Sequence, residues 1–299
     1  MARPEEGTQP APPSEILVRI VPAVFVLLWS TGFIGAKFGL PYAEPLTFLL
    51  LRFICVTAIL LAAALVLRSP WPKSWAIVGR LAVAGALIHG CYLGGIFIAI
   101  SLGLPAGVAA LLGSLQPLLT AALSARYLGE RVKAWQWVGI ALGLVGVALV
   151  VGEKLSFERA HVWGVLSGLI AVAGITAGTL YQRRHLGGMS LVTGSVIQFG
   201  TVLLVYLGLA PLFETMTVAW VPEFIFALGW LTLVLSIGAV TLFYLMIRHG
   251  AAAKVASLFY LVPASTALIA YAVFGETLGW LAIVGMISTS GGVYLVTRA

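Results

Sequence analysis

The sequence predicts an all-α membrane protein of ten transmembrane helices, built as two inverted five-helix repeats, and three observations support this prediction. The first is composition: the 299 residues are 61% apolar and only 9% charged, with a mean hydropathy of +1.08. Soluble domains usually contain roughly a quarter charged residues. The second is that the apolar residues form runs of about 20, which cross a hydrocarbon layer of roughly 30 Å as helices. The third is an internal repeat at one constant spacing.

The ten apolar runs follow one another with short connections, which leave no room for a separate soluble domain. Residues 1–18 are rich in proline and predict a disordered N-terminal tail. The first apolar run is long and begins only after Arg19, unlike the short stretch of a cleaved signal peptide, so we expect it to be retained. The predicted helices cover residues 19–40, 45–67, 80–101, 105–125, 134–151, 162–182, 189–210, 222–246, 255–273 and 278–297.

Basic residues lie mostly on one side of this predicted layout. With the N-terminus in the cytoplasm, 13 Lys and Arg residues fall on the inner side, while Lys154 and Arg159 fall on the outer side. This bias predicts a multi-pass inner-membrane protein with both termini in the cytoplasm. The net charge of +7 does not indicate a nucleic-acid partner, because the basic residues are scattered between apolar runs. The expected partners are the lipid bilayer and a small-molecule substrate, and the expected state is a monomer.

Residues of the first half recur in the second half at one spacing. Pro117 matches Pro263, a spacing of 263 − 117 = 146 residues. The same spacing pairs Gly129-Glu130 with Gly275-Glu276, Thr120-Ala121 with Thr266-Ala267, and Lys37 with Arg183. The predicted repeats, residues 19–151 and 162–297, each hold five helices, and because five is odd the second repeat enters the membrane from the opposite side. Inverted repeats are typical of secondary transporters, which bind substrate near the bilayer midplane.

Three segments carry a resemblance to a known family. They are Leu28-Trp29-Ser30-Thr31-Gly32-Phe33 through Lys37, Leu115-Gln116-Pro117 to Gly129-Glu130, and Leu261-Val262-Pro263 to Gly275-Glu276. In these segments the chain resembles the drug/metabolite transporter superfamily, with the ten-helix layout of duplicated EamA domains from about residue 19 to 297. Within that family it is similar to the YddG-type exporters of aromatic amino acids. The resemblance implies a central cavity lined by the first, third, fourth, sixth, eighth and ninth helices.

Polar residues within the spans are candidate substrate-binding residues, since such residues are costly in a membrane. His89 and Tyr92 lie three apart on one face of the third helix. His89 could bind substrate or carry a proton, although a hydrogen-bonded structural role remains open. Gln116 on the fourth helix and Tyr260 on the ninth belong to the helices that the resemblance assigns to the cavity. Arg52 is deep in the second helix and is expected to clamp neighbouring helices together.

Aromatic and basic residues complete the candidate substrate-binding set. Trp29, Trp230 and Tyr244 are deep enough to face a cavity, and a ring-lined cavity would suit aromatic substrates. Core packing is the alternative for each of them. Lys37 lies near the outer interface, where it either contacts a substrate carboxylate or extends its amine to the membrane surface.

Pro117 and Pro263 are predicted hinges, because proline removes a helical hydrogen bond and crowds the preceding turn. A static kink is the alternative. Glu130 and Glu276 open the fifth and tenth helices, where a carboxylate favours the positive helix end, so we expect capping and no role in carrying ions.

These features favour a non-enzymatic secondary transporter without cofactor or metal, which exports aromatic amino acids or similar amphipathic metabolites by alternating access. One alternative is an exchanger of phosphorylated metabolites or nucleotide sugars, which would need several cationic residues in the cavity. Alternatives from other classes are an intramembrane enzyme, for which no metalloprotease or nucleophile motif is present, and a passive channel.

Overall fold

A computed structural model describes residues 15–155, 159–187, 190–239, 242 and 259–297. The regular elements of this part of the chain are helices, and each lies on one predicted span. They are α1 (Glu15–Gly39), α2 (Pro45–Val66), α3 (Trp75–Ser101), α4 (Ala106–Gly113 and Leu115–Tyr127), α5 (Ala134–Leu155), α6 (Arg159–His185), α7 (Leu191–Phe213), α8 (Pro222–Ala239), α9 (Val262–Phe274) and α10 (Trp280–Thr297). Eight of the helices are long and apolar enough to cross a membrane, and the segments Ala23–Gly39 and Phe259–Phe274 are shorter apolar helices.

Helix boundaries follow from local sequence chemistry. Pro45 and Pro222 stand in the first turns of α2 and α8, where a missing N–H is tolerated. The Ser74 hydroxyl accepts the Ala76 N–H at 3.2 Å and caps α3. Gly275 has a φ of 66°, a left-handed conformation that glycine adopts without steric cost, and it ends α9.

The internal repeat extends from the sequence into the backbone geometry. The Glu130 N–H donates to the Ser124 carbonyl at 3.4 Å, and the Glu276 N–H donates to the Ala270 carbonyl at the same distance. Both donors and both acceptors are separated by the repeat spacing. A π-helical segment, Ala86–Cys91, interrupts α3, and a second one covers the equivalent part of α8. The two halves therefore share the same irregularities as well as the same helices.

Glycines bring α5 and α10 into close contact between the repeats. A Cβ atom on Gly146 would lie 2.4 Å from the Gly285 carbonyl oxygen, and one on Gly139 would lie 2.6 Å from that of Gly292. The repeat spacing relates Gly139 to Gly285 and Gly146 to Gly292, so the contact is symmetric about the axis that relates the repeats. Close packing of small residues is a common way to associate helices in lipid.

Candidate functional site

A cavity of about 650 Å³ lies between the two repeats. The described residues that line it come mainly from α1, α3, α4, α6, α7 and the turn that precedes α9. The family resemblance had implied α1, α3, α4, α6, α8 and α9, and all of these except the described part of α8 contribute. It had not included α7, whereas Gln198 and Phe199 of α7 line the cavity.

One end of the cavity is lined by aromatic rings, and we call it the closed end because Phe33 there is 6% exposed and the adjacent Phe25 is 0% exposed. Trp29 and Phe33 of α1, Tyr92 of α3 and Phe259 line this end. The rings of Trp29 and Phe259 meet edge to face with centroids 5.4 Å apart, and Phe25 packs against Trp29 at the same distance. Sequence analysis had selected Trp29 and Tyr92, and the structure places both in the lining.

The opposite end of the cavity carries charged and polar groups. Glu130, Arg131, Gln136 and Arg183 line it, where α6 and α10 end. The Glu130 and Arg183 side chains are 45% and 47% exposed, so water reaches this end of the cavity. We call it the Arg183 end. The end of the bundle where α1 finishes is the Lys37 end.

His89 lies in the π-helical segment of α3 and lines the cavity. Its imidazole stacks on the ring of Phe199, with centroids 4.1 Å apart and an interplanar angle of 21°. Gln198 and the guanidinium of Arg52 are close enough to this imidazole to influence it electrostatically. Arg52 is 4% exposed and donates to the Ser236 hydroxyl at 3.0 and 3.3 Å. The expected clamp by Arg52 therefore joins α2 to α8.

Gln116 and Pro117 both line the cavity on α4. The Gln116 Nε2 donates to the Thr179 hydroxyl of α6 at 3.4 Å, which links the two repeats. The regular helix is interrupted at Ser114, within the turn that Pro117 crowds. Gly113 fits here because a Cβ atom at this position would lie 3.2 Å from the Tyr92 hydroxyl.

Pro263 stands in a matching position on α9. It lies in the first turn of the regular helix, after a 3₁₀ turn at Phe259–Leu261. The repeat spacing relates this turn to the interruption at Ser114. Pro117 therefore follows an interruption of α4 and Pro263 follows a 3₁₀ turn, while the movement itself remains a prediction.

Three other candidates do not line the cavity as expected, and a fourth lies outside the described residues. Tyr260 packs edge-on against Tyr294 with ring centroids 5.6 Å apart, in a separate groove between α9 and α10. Its neighbour in the 3₁₀ turn, Phe259, faces the cavity instead. The Trp230 indole N–H donates to the Thr31 hydroxyl at 2.9 Å and joins α8 to α1. Lys37 pairs with a carboxylate, as described next, and Tyr244 lies outside the described residues.

Among the described residues, two ion pairs connect the repeats. Lys37 binds Glu276, and Arg183 binds Glu130. The expectation that the two glutamates cap the fifth and tenth helices requires correction, because both carboxylates bind cations of the other repeat. Glu276 Oε1 also accepts the N–H of Ala106 at 3.2 Å, so it caps α4 of the first repeat.

Sequence reasoning missed the contributions of Gln198, Phe199 and Thr179. The available signal was that Gln198 stands at the repeat position of Arg52, where both residues are polar within apolar helices. The π-helical segments carried no such signal, since neither contains a proline.

Comparison with known proteins places this architecture in a family context. The sequence profile described as the EamA-like transporter family matches residues 18–152 and 162–298. The chain is 28% identical over 275 residues to the "Uncharacterized inner membrane transporter YedA" of Escherichia coli K12, which covers 89% of this chain and 88% of the relative.

A second relative from Escherichia coli K12, described as a "Probable amino-acid metabolite efflux pump", is 26% identical over 286 residues and covers 92% of this chain and 93% of the relative. A known crystal structure has the same fold, with a TM-score of 0.65 at 20% sequence identity, and the match covers 95% of this chain and 98% of that one.

Proposed function

Because this chain belongs to the EamA-like transporter family, we propose that it exports aromatic amino acids or related small amphipathic metabolites by alternating access. Membrane transport and a multi-pass inner-membrane location follow from the family and from the relatives that are inner-membrane transporters. The substrate class and the transport cycle are our proposal. A relative described as an amino-acid metabolite efflux pump supports the choice of substrate.

The observation that carries this proposal is the distribution of side chains in the central cavity. Its closed end is aromatic, with Trp29, Tyr92 and Phe259, and its wall carries the polar side chains of His89 and Gln116. The cavity volume of about 650 Å³ falls in the usual range for small-molecule sites. An aromatic amino acid would place its ring against the closed end, and the polar wall would bind its amino and carboxylate groups.

The lining is less suited to a phosphorylated substrate. Among the described residues, the cationic side chains of the lining are Arg131 and Arg183, both at the Arg183 end, and Arg183 is paired with Glu130. Phosphate recognition usually relies on several convergent cations. The aromatic closed end has apolar rings where such a substrate would need positive charge.

The distribution of basic residues in the sequence predicts the side of the membrane to which this cavity opens. If both termini are cytoplasmic, the Arg183 end faces the cytoplasm, because α6 and α10 finish there. The present arrangement is then the inward-facing form, in which an exporter loads its substrate. We propose that residues 19–151 and 162–297 move relative to each other to expose the cavity on the other side.

Counterflow into proteoliposomes tests this proposal. Purified protein would be reconstituted with unlabelled phenylalanine inside, and uptake of radiolabelled phenylalanine, tryptophan and serine would be followed with and without a pH gradient. We expect saturable uptake of the two aromatic amino acids, enhanced by preloading, and little uptake of serine. Equal uptake of all three would contradict aromatic selectivity, and non-saturable uptake without counterflow would indicate a channel.

A further inference from the structure

The ion pairs Lys37–Glu276 and Arg183–Glu130 are one interaction present twice in opposite orientations. The repeat spacing relates Lys37 to Arg183 and Glu130 to Glu276, so each pair joins a cation of one repeat to a carboxylate of the other. We infer that the two pairs hold opposite ends of the cavity closed in alternate states of the transport cycle, and we call them latches. When the cavity opens to the other side, the shielded pair becomes exposed and the exposed pair becomes shielded. This inference rests on the proposed alternating access.

The latch at the Lys37 end is largely shielded from solvent. The exposed fractions of the Lys37 and Glu276 side chains are 32% and 10%. The Lys37 amine also lies over the Phe274 ring, 5.1 Å from its centroid. Because Glu276 Oε1 accepts the Ala106 N–H as well, one carboxylate ties together the end of α1, the start of α4 and the α9–α10 connection.

The latch at the Arg183 end joins the equivalent residues of the repeats, Arg183 and Glu130, but it is exposed to water. Its two side chains are nearly half exposed and line the mouth of the cavity. Exposed ion pairs are screened by water and contribute little, whereas removing one partner of a shielded pair leaves an uncompensated charge. The Lys37–Glu276 pair is therefore expected to matter most in the state in which the Lys37 end is closed, and removing one of its partners should disfavour that state.

The inverted repeat explains why the two latches should exchange their shielded and exposed environments. Alternating access moves one repeat against the other, and we expect the opposite state to arise when each repeat adopts the arrangement now held by the other. Lys37–Glu276 would then become exposed, and Arg183–Glu130 would become shielded. Glu276 Oε2 is buried here without a hydrogen-bond partner. Water would satisfy this oxygen once the latch is exposed, and this gain would partly offset the loss of the closed arrangement.

A matched pair of cysteine reporters tests the exchange. Ala36 and Gln182 occupy equivalent positions, each directly before the cation of its latch. Ala36 is 0% exposed, and Gln182 lines the cavity. Ala36→Cys and Gln182→Cys would be introduced separately after replacing the native Cys55 and Cys91 by alanine. The rate of labelling by a hydrophilic maleimide would be measured in lipid nanodiscs, where both faces are accessible and no substrate is needed.

We expect Gln182→Cys to react rapidly and Ala36→Cys slowly in the otherwise unchanged protein. Neutralising the shielded latch by Glu276→Gln or Lys37→Met should raise the rate at Ala36→Cys on the order of tenfold and lower the rate at Gln182→Cys, because the population shifts to the other state. Lys37→Arg, which copies the cation of the other latch, should preserve slow labelling. Glu130→Gln should leave Ala36→Cys slow.

The matched control is Glu223→Gln, which neutralises an exposed carboxylate in the first turn of α8 at the same end. If Glu276→Gln prevents folding, the milder Glu276→Asp should give an intermediate rate. Unchanged rates in folded Glu276→Gln and Lys37→Met, or an equal increase in Glu223→Gln, would overturn the latch assignment. Because labelling requires no substrate, a failure to transport aromatic amino acids would leave this result standing, and transport with unchanged labelling would reject the latches alone.

Discussion

Trp29 of α1 and Phe259, in the 3₁₀ turn before α9, meet edge to face with ring centroids 5.4 Å apart at the closed end of the cavity. Each residue belongs to a different repeat, so an aromatic substrate bound here would contact both halves of the protein. A substrate ring in contact with both repeats can couple substrate binding to the movement of one repeat against the other.

Trp29→Leu keeps apolar bulk but removes the aromatic face. We expect the KM for tryptophan counterflow to rise roughly threefold to tenfold, since an aromatic pair contributes about 0.5–1.5 kcal/mol beyond its burial. Trp29→Phe should lose less. Trp163→Leu is the control, because Trp163 is 65% exposed on α6. An equal effect of Trp29→Leu and Trp163→Leu would argue against a role for Trp29 in binding.

His89 is the polar group that we expect to contact the charged end of the substrate. His89→Leu should raise the KM for phenylalanine by about tenfold, because an unpaired polar group costs about 1–3 kcal/mol. His89→Gln retains hydrogen-bonding capacity and should be affected less. The measurement is counterflow at several substrate concentrations. His185→Gln is the control, since His185 binds the Tyr181 carbonyl near the end of α6. Normal KM values in His89→Leu would limit His89 to packing against Phe199.

Neighbouring glycines on α10 allow a test of the α5–α10 contact. A Cβ atom on Gly292 would lie 2.4 Å from the Gly139 carbonyl oxygen, whereas one on Gly291 would meet no atom within 4 Å. Gly292→Ala should therefore destabilise the protein by about 1–3 kcal/mol through overpacking. Gly291→Ala should be neutral or stabilising, because alanine is the better helix former. Thermal unfolding in detergent measures both, and equal Tm values would contradict the close approach.

The helices and the repeat could be predicted from the sequence because the bilayer imposes a simple rule. Each span needs about 20 apolar residues, and any charge within it is conspicuous. The latches could not be predicted in the same way. Lys37, Arg183, Glu130 and Glu276 were all visible as repeat matches, but the spacing relates equivalent residues and does not identify partners. The contacts run between repeats, and hydropathy and helical periodicity do not encode them.

The candidate site was predicted where the helices are regular and missed where they are not. Trp29 and Gln116 line the cavity as expected. Tyr260 does not, because the 3₁₀ turn before Pro263 changes the direction in which successive side chains point, so Phe259 takes the cavity position. The phase of a helix cannot be extended through such a turn from sequence spacing alone.

The prolines give a prediction about rate rather than affinity. Pro117 lines the cavity directly after the interruption of α4 at Ser114, and replacing it with alanine would restore a backbone donor and favour a continuous helix. If the break is a hinge, Pro117→Ala should slow counterflow turnover several-fold with little change in KM, since conformational steps set many turnover rates. Pro263→Ala should act similarly.

Pro211→Ala is the matched control, because Pro211 lies inside α7 with an exposed side chain. It tests whether losing any helical proline slows transport by changing general stability. Normal turnover in Pro117→Ala, or equal slowing in Pro211→Ala, would identify the interruption as a static kink. A selective effect at Pro117 and Pro263 would instead support paired hinges, since the two prolines occupy equivalent places in the inverted repeats and would bend in opposite halves of the same movement.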